Sequence, residues 1–276
     1  MKRLLVAGAS LGAVVFPLHA LAQSSVTLYG EIDAGLAYLS NVGGHAQYQA
    51  TSGLIDGSYW GLQGSEDLGG GNKAIFRLER GFSAQTGAAL NDHPYYVGLG
   101  NDGYGTVTLG HQYDSIHDYF APFTLTGASG GTAFAHPFDN DNANNSYLAR
   151  NSVKYASPTF GGFSFGGMYA FSNGAGQFAN NRAYGVGANY QNGSFSAGAA
   201  WLHGNGRGNT AGGAYDTVAL PGVDRDVFQA SVQTQNTYGV GANYAIGGFT
   251  LGAAWSRSTY SGVRNADSGA PAPGRA

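Results

Sequence analysis

Only 11% of this chain is charged, so chemistry would have to occur in the few places where reactive side chains gather. Three short patterns name specific chemistries. Gly98-Leu99-Gly100-Asn101-Asp102-Gly103 has the G-x-G-x-x-G spacing of a dinucleotide loop. That loop needs a helix after it to hold the pyrophosphate, and the following YGTVTLG alternates as a strand, so a tight turn at 101–104 accounts for the glycines. Gly162-Phe163-Ser164-Phe165-Gly166 has G-x-S-x-G spacing. A nucleophile elbow requires strand, sharp turn and helix, whereas Ser164 alternates with two phenylalanines on one strand and reads as a small inward residue. Asp139-Asn140-Asp141-Asn142 starts like a calcium loop, but Ala143, Asn144 and Arg150 stand where such a loop needs an oxygen ligand, a glycine and a glutamate. His93, His111, His117 and His136 have no ligand spacing. No catalytic group, cofactor or metal is expected, and the chain does not read as an enzyme.

The elements that carry these residues are strands. A hairpin is written twice, YGVGANYQNGSFSAGAAW at 184–201 and YGVGANYAIGGFTLGAAW at 238–255. Each copy is two alternating runs around a short Gly-containing turn. One face carries Tyr184, Val186, Ala188, Tyr190, Phe195, Ala197, Ala199 and Trp201, and the other Gly185, Gly187, Asn189, Ser194, Ser196 and Gly198. Aromatics six residues apart on a strand tilted by about 45° stand roughly 14 Å apart across a sheet. Small apolar residues between two aromatic levels suit a surface that touches lipid, with a polar inner face.

Composition agrees. Glycine supplies 47 of 276 residues, and 18 Tyr and 15 Phe accompany the alternation. With no cysteine, disulfides and Cys-ligated metals are excluded. Residues 1–22 read as a secretory signal, with Lys2 and Arg3, an apolar stretch, and Ala20-Leu21-Ala22 as the cleavage site. Its removal takes Lys+Arg from 13 to 11 against 16 Asp+Glu, a net charge of −5, which argues against nucleic acid as a partner.

Alternation places strands near 25–39, 57–66, 72–83, 94–101, 105–114, 150–157, 162–172, 182–191, 194–203, 236–246 and 248–258. Trp60, Leu62, Ala74, Phe76 and Leu78 face out; Tyr59, Gln63, Ser65, Lys73, Arg77 and Glu79 face in. Short turns at 67–71, 101–104, 158–161, 192–193 and 246–247 alternate with long connections at 40–56, 84–93, 115–149, 173–181 and 204–235. Sorting of loops by length is what an outer-membrane barrel shows. Connections as long as 115–149 are usually functional, and folded inward this one would set a pore size. The expected fold is all-β, a transmembrane antiparallel β-barrel.

QSSVTLYGEIDAGL, WGLQGSEDLGGGNKAIFRLERGF, YYVGLG, YGTVTLGHQYD, AFAHPFDNDN and NSVKYASP, in this order, resemble the general diffusion porins of β-proteobacterial outer membranes. The resemblance runs from the signal segment to about Arg257. It implies a homotrimer of 16-stranded barrels in the outer membrane, each with its third loop folded inside, passing small hydrophilic solutes and ions. It also implies acidic loop residues facing a basic wall. Here the acidic candidates are Asp114, Asp118, Asp139 and Asp141, and the opposing wall candidates are Arg77, Arg150 and Lys154, with Glu79 also facing the lumen. Tyr59, Gln63, His93 and His111 stand at positions that are commonly basic in that family, so strong anion selectivity is not expected.

The domains read as a signal peptide at 1–22, a partial porin barrel at 23–258 and a polar tail at 259–276. Eleven strands leave open edges, which hydrocarbon penalises by several kcal/mol per unpaired backbone group, and Ala276 stands where the family ends in an aromatic. The barrel is therefore expected to be incomplete. Two further readings remain: a nonfunctional truncated porin fragment, and an outer-membrane enzyme or adhesin on a smaller barrel.

Overall fold

The computed structural model describes residues 25–90, 93–205, 214 and 232–262. The expected signal segment and residues 263–276 of the expected tail lie outside the described residues. No described helix is long and apolar enough to cross a membrane. The structure is built of strands: β1 (Ser25–Glu31), β2 (Ala34–Val42), β3 (His45–Ser52), β4 (Tyr59–Gly69), β5 (Asn72–Phe82), β6 (Ala89–Leu90), β7 (Tyr95–Asn101) and β8 (Gly105–Gln112). After a loop containing the short helix α1 (Ser115–Tyr119) come β9 (Ala149–Ala156), β10 (Phe163–Ala170), β11 (Arg182–Asn192), β12 (Phe195–Asn205), β13 (Thr234–Ile246) and β14 (Phe249–Ser261).

Twelve strands form one antiparallel sheet, in the order β1-β4-β5-β7-β8-β9-β10-β11-β12-β13-β14 with β6 added to β5. Each strand of that path overlaps a run of alternation in the sequence. The barrel is not closed: β1 and β14 are its edges, with no further partner among the described residues. Connections at one end are short and those at the other are long.

The repeated hairpins are β11–β12 and β13–β14. Val186 pairs with Trp201 and Val240 with Trp255, so both copies keep the same cross-strand register. Gly193 and Gly247 adopt φ of 55° and 58°, the left-handed conformation that their tight turns require. The copies meet where Trp201 of β12 stacks near Tyr238 of β13. Outward residues such as Val186 (56% exposed) and Leu251 (64% exposed) have little protein over them, as a lipid-facing surface requires. Residues 259–261, expected in the tail, continue β14.

The first strand departs from expectation. The run expected at 25–39 breaks after Glu31, because Asp33 bonds its own surroundings instead of a ladder. Its carboxylate accepts the N–H groups of Ile55 and Asp56 at 2.7 and 3.0 Å, and its backbone N–H donates to Ser58 Oγ at 2.9 Å. Beyond that bend β2 leaves the sheet and pairs with β3, so much of the connection expected at 40–56 is strand.

The buried core is not a layer between two sheets. Ile116, Tyr119 and Phe120 of the 113–148 loop pack against Met168, Ala170, Ala183, Ala200 and Leu202 on the inner face of β10–β12. The outward face makes one prediction. Val186→Lys, near the middle of β11, should destabilise the protein by about 2–4 kcal/mol in a bilayer. Equilibrium unfolding in lipid vesicles measures it, and a loss within about 0.5 kcal/mol, the range of an ordinary surface change, would contradict lipid contact at that position.

Candidate functional site

The loop leaves β8 through Asp114, a buried N-cap. Asp114 Oδ1 accepts from the N–H groups of Ile116 (2.6 Å) and His117 (3.2 Å), and Oδ2 accepts from Asn142 Nδ2 at 2.5 Å. Asn142 also holds Tyr147, donating to its carbonyl and accepting its N–H. Asp139 accepts from the N–H groups of Asn144 and Ser146, both at 2.9 Å. Asp141 Oδ2 accepts from Ser256 Oγ at 2.6 Å and lies 2.6 Å from His136 Nδ1. The Asn140 carbonyl takes Ser258 Oγ at 2.8 Å and the Tyr260 hydroxyl at 2.6 Å. The 139–142 turn is thus fastened to β14. Farther along, Thr132 N–H donates to the Ile55 carbonyl at 3.3 Å, which ties the loop to the connection before β4.

Three of the four acidic candidates are therefore buried and internally bonded, with Asp114 and Asp141 fully buried and Asp139 nearly so. The residue type pointed to a charged lumen; the geometry gives them the work of shaping the loop. Burial pushes the Asp114 carboxyl up to about 6, against the opposing pull of its donors. Burial likewise raises Asp139 despite its two backbone bonds. Asp118 behaves oppositely: burial alone would raise it, but Lys154 and His117 together hold it below the usual range.

Asp118 borders a cavity of about 520 Å³ between α1 and the sheet. On the loop side stand Tyr113, His117 and Asp118, with Lys154 of β9 donating to Asp118 Oδ2 at 2.7 Å and to the Tyr113 carbonyl at 3.0 Å. The rings of Tyr113 and His117 stack at 3.9 Å. Across the cavity stand Tyr59, Arg77, Glu79 and His93. Glu79, with no exposed side chain, accepts Arg77 Nε at 2.6 Å and the Tyr29 hydroxyl, and its other oxygen lies 3.2 Å from His93 Nδ1. His93 in turn lies against the Tyr59 ring at 4.5 Å. Each buried charge has a partner, which is what a low-dielectric wall demands.

The remaining candidates are elsewhere. Gln63 sits in β4 opposite Arg77 and Thr27, outside the cavity lining. Arg150 lies at the loop end of β9, also outside that lining. His111 lies outside that lining too: it pairs with Tyr95 of β7, the two rings stack, and the β8–β9 register shifts between Gly110 and Gln112. Tyr29, Asp56 and Tyr113 line or support the cavity without a signal of their own in the sequence. Among the described histidines, His93, His117 and His136 go to three different carboxylates. The G-x-G-x-x-G segment is the β7–β8 turn and the G-x-S-x-G segment runs into β10, with no helix following either.

This geometry can be set beside known proteins. A family model described as Gram-negative porin matches residues 7–271. The chain belongs to the Gram-negative porin family. An outer membrane porin protein of Bordetella pertussis is 30% identical over 94% of this porin and 70% of its own length. The major outer membrane protein P.IB of Neisseria gonorrhoeae is 36% identical over 71% of this porin and 56% of its own length, so the chain spans little more than half of that relative. Among solved structures, the anion-selective porin from Comamonas acidovorans superposes with a TM-score of 0.67 and 26% identity, covering 86% of this porin and 68% of that chain. This porin is an outer-membrane protein, and its family points to a channel protein rather than an enzyme.

The loop carries a pH prediction. Asp114 has a folded value near 6 against an ordinary 3.8. The folded loop therefore holds the proton more tightly than the unfolded one, and its stability falls as pH rises from 3.8 through about 6. Amide exchange at 115–123, corrected for intrinsic rates, should slow between pH 7 and pH 5. In Asp114→Asn that slowing should vanish; its persistence would assign the effect to another group.

Proposed function

We propose that this porin passes small hydrophilic solutes and ions by passive diffusion, as a homotrimer, through a water-filled lumen narrowed by the 113–148 loop. The observation that carries the reading is the placement of that loop against the inner face of β10–β14, leaving a cavity with a charged cluster on each side. Opposed pairs, Arg77–Glu79 on the wall and Lys154–Asp118 at the loop, create a field across the passage that orders water and favours polar solutes. No described feature favours an enzymatic or adhesive role.

The sign of the lumen follows from its lining. Asp56, Glu79 and Asp118 outnumber the fixed bases Arg77 and Lys154 by one. The passage should be weakly cation-selective at pH 8. The neighbour from Comamonas acidovorans is described as anion-selective; the neutral Tyr59 and the histidine at 93 support a different preference here.

Planar-bilayer recording of the protein tests both levels. Discrete conductance steps with a small cation-selective reversal potential are expected at pH 8. Lys154→Ala should deepen the cation preference. Absence of steps from folded, inserted protein would overturn the channel, whereas anion selectivity at pH 8 would overturn only the assignment of sign.

A further inference from the structure

The inner wall carries glycine where the loop comes nearest. A Cβ at Gly187 would lie 2.5–2.7 Å from Cδ2, Cγ and Cβ of Tyr119, and one at Gly239 would lie 2.4–2.7 Å from the ring of Phe120. A Cβ at Gly241 would lie 2.4 Å from Cβ of Phe123, and one at Gly185 would lie 3.1 Å from Ser115 Oγ. None of these four glycines has a positive φ, so backbone conformation does not demand them. Space does.

The four are equivalent positions of the doubled hairpin: Gly185 and Gly187 in the first copy answer to Gly239 and Gly241 in the second. The first pair receives Ser115 and Tyr119, four residues apart and so on one face of α1. The second pair receives Phe120 and Phe123, where the chain continues. One ridge of the loop thus sinks into two copies of the same strip.

We propose that these glycines are positioning residues for the channel: the depth to which they let the ridge sink sets the bore left open in front of it. The inference rests on the diffusion-channel reading above. Ordinary carbon contacts begin at 3.4 Å, so an added Cβ at Gly187 or Gly239 must push the ridge about 1 Å from the wall. His117 and Asp118 adjoin Tyr119 on the same short helix and face the cavity, so they advance into the passage with it. A residue on the wall behind the loop then controls what passes in front.

The test compares Gly187→Ala, Gly239→Ala and their combination with a turn control, Gly248→Ala, whose Cβ meets nothing within 4 Å. Folded fractions are matched by heat-modifiable gel mobility, and channels are recorded singly in planar bilayers. Each wall variant should lose conductance, the combination should lose more, and the control should match the parent. Because the chain has no cysteine, Ala121→Cys, at a buried position next to the ridge, reports the seat independently. Its thiol should resist maleimide in the parent background and react in the wall variants. A rise in conductance with gained labelling would mean that the ridge leaves its seat altogether, which still makes the glycines what holds it. Should the wall variants fail to insert, Phe120→Ala trims the ridge and leaves the strands intact, and labelling at position 121 should again appear. Unchanged conductance, reversal potential and protection in folded variants would overturn the proposal. A parent that conducts while the variants match it defeats only this inference, whereas a parent without steps defeats the channel reading.

Discussion

Hydrocarbon offers no partner to a backbone N–H or C=O, and the rest of this structure follows from that constraint. It forces the crossing segments into a continuous antiparallel ladder, the period of that ladder sends alternate residues to lipid and to the lumen, and apolar residues therefore occupy every second position. Irregular backbone survives only where protein or lumen water surrounds it. The loop between β8 and β9 satisfies that condition by lying on the inner wall and bonding its own turns: Asp114 caps α1, Asp139 takes two backbone N–H groups, and the Asn140 carbonyl takes two hydroxyls of β14.

The same economy governs the charges. The wall–loop interface excludes water, and an unpaired carboxylate there would be costly. Asp114 and Asp139 answer by holding protons more readily than usual, Asp118 by pairing with Lys154, and Glu79 by gathering Arg77, Tyr29 and His93. Fixed charge reaches the cavity mainly as opposed pairs. Net charge there is small.

Strand positions were legible because alternation is a direct image of the lipid–lumen division, and all eleven runs appear in the path of the sheet. The break at Asp33 was not, since a carboxylate that bonds backbone groups more than twenty residues away leaves no periodic trace. Local pattern also could not assign the acidic loop residues. Asp118 and Asp141 are the same side chain in the same loop, and only the approach of Lys154 to one and Ser256 to the other separates a cavity-lining charge from a structural anchor.

The doubled hairpin satisfies two unrelated demands with one sequence. Its outward set of Tyr, Val, Ala and Trp meets lipid, where many apolar residues would serve. Its inward glycines meet Ser115, Tyr119, Phe120 and Phe123, where an added methyl would collide at Gly187, Gly239 and Gly241. Tolerance to substitution should therefore be strongly one-sided along β11 and β13, with volume limiting the inner positions and charge limiting the outer ones. A soluble sandwich would place its tightest volume limits between two sheets. Here they fall between a sheet and a loop, because the inner wall packs against the loop in this region.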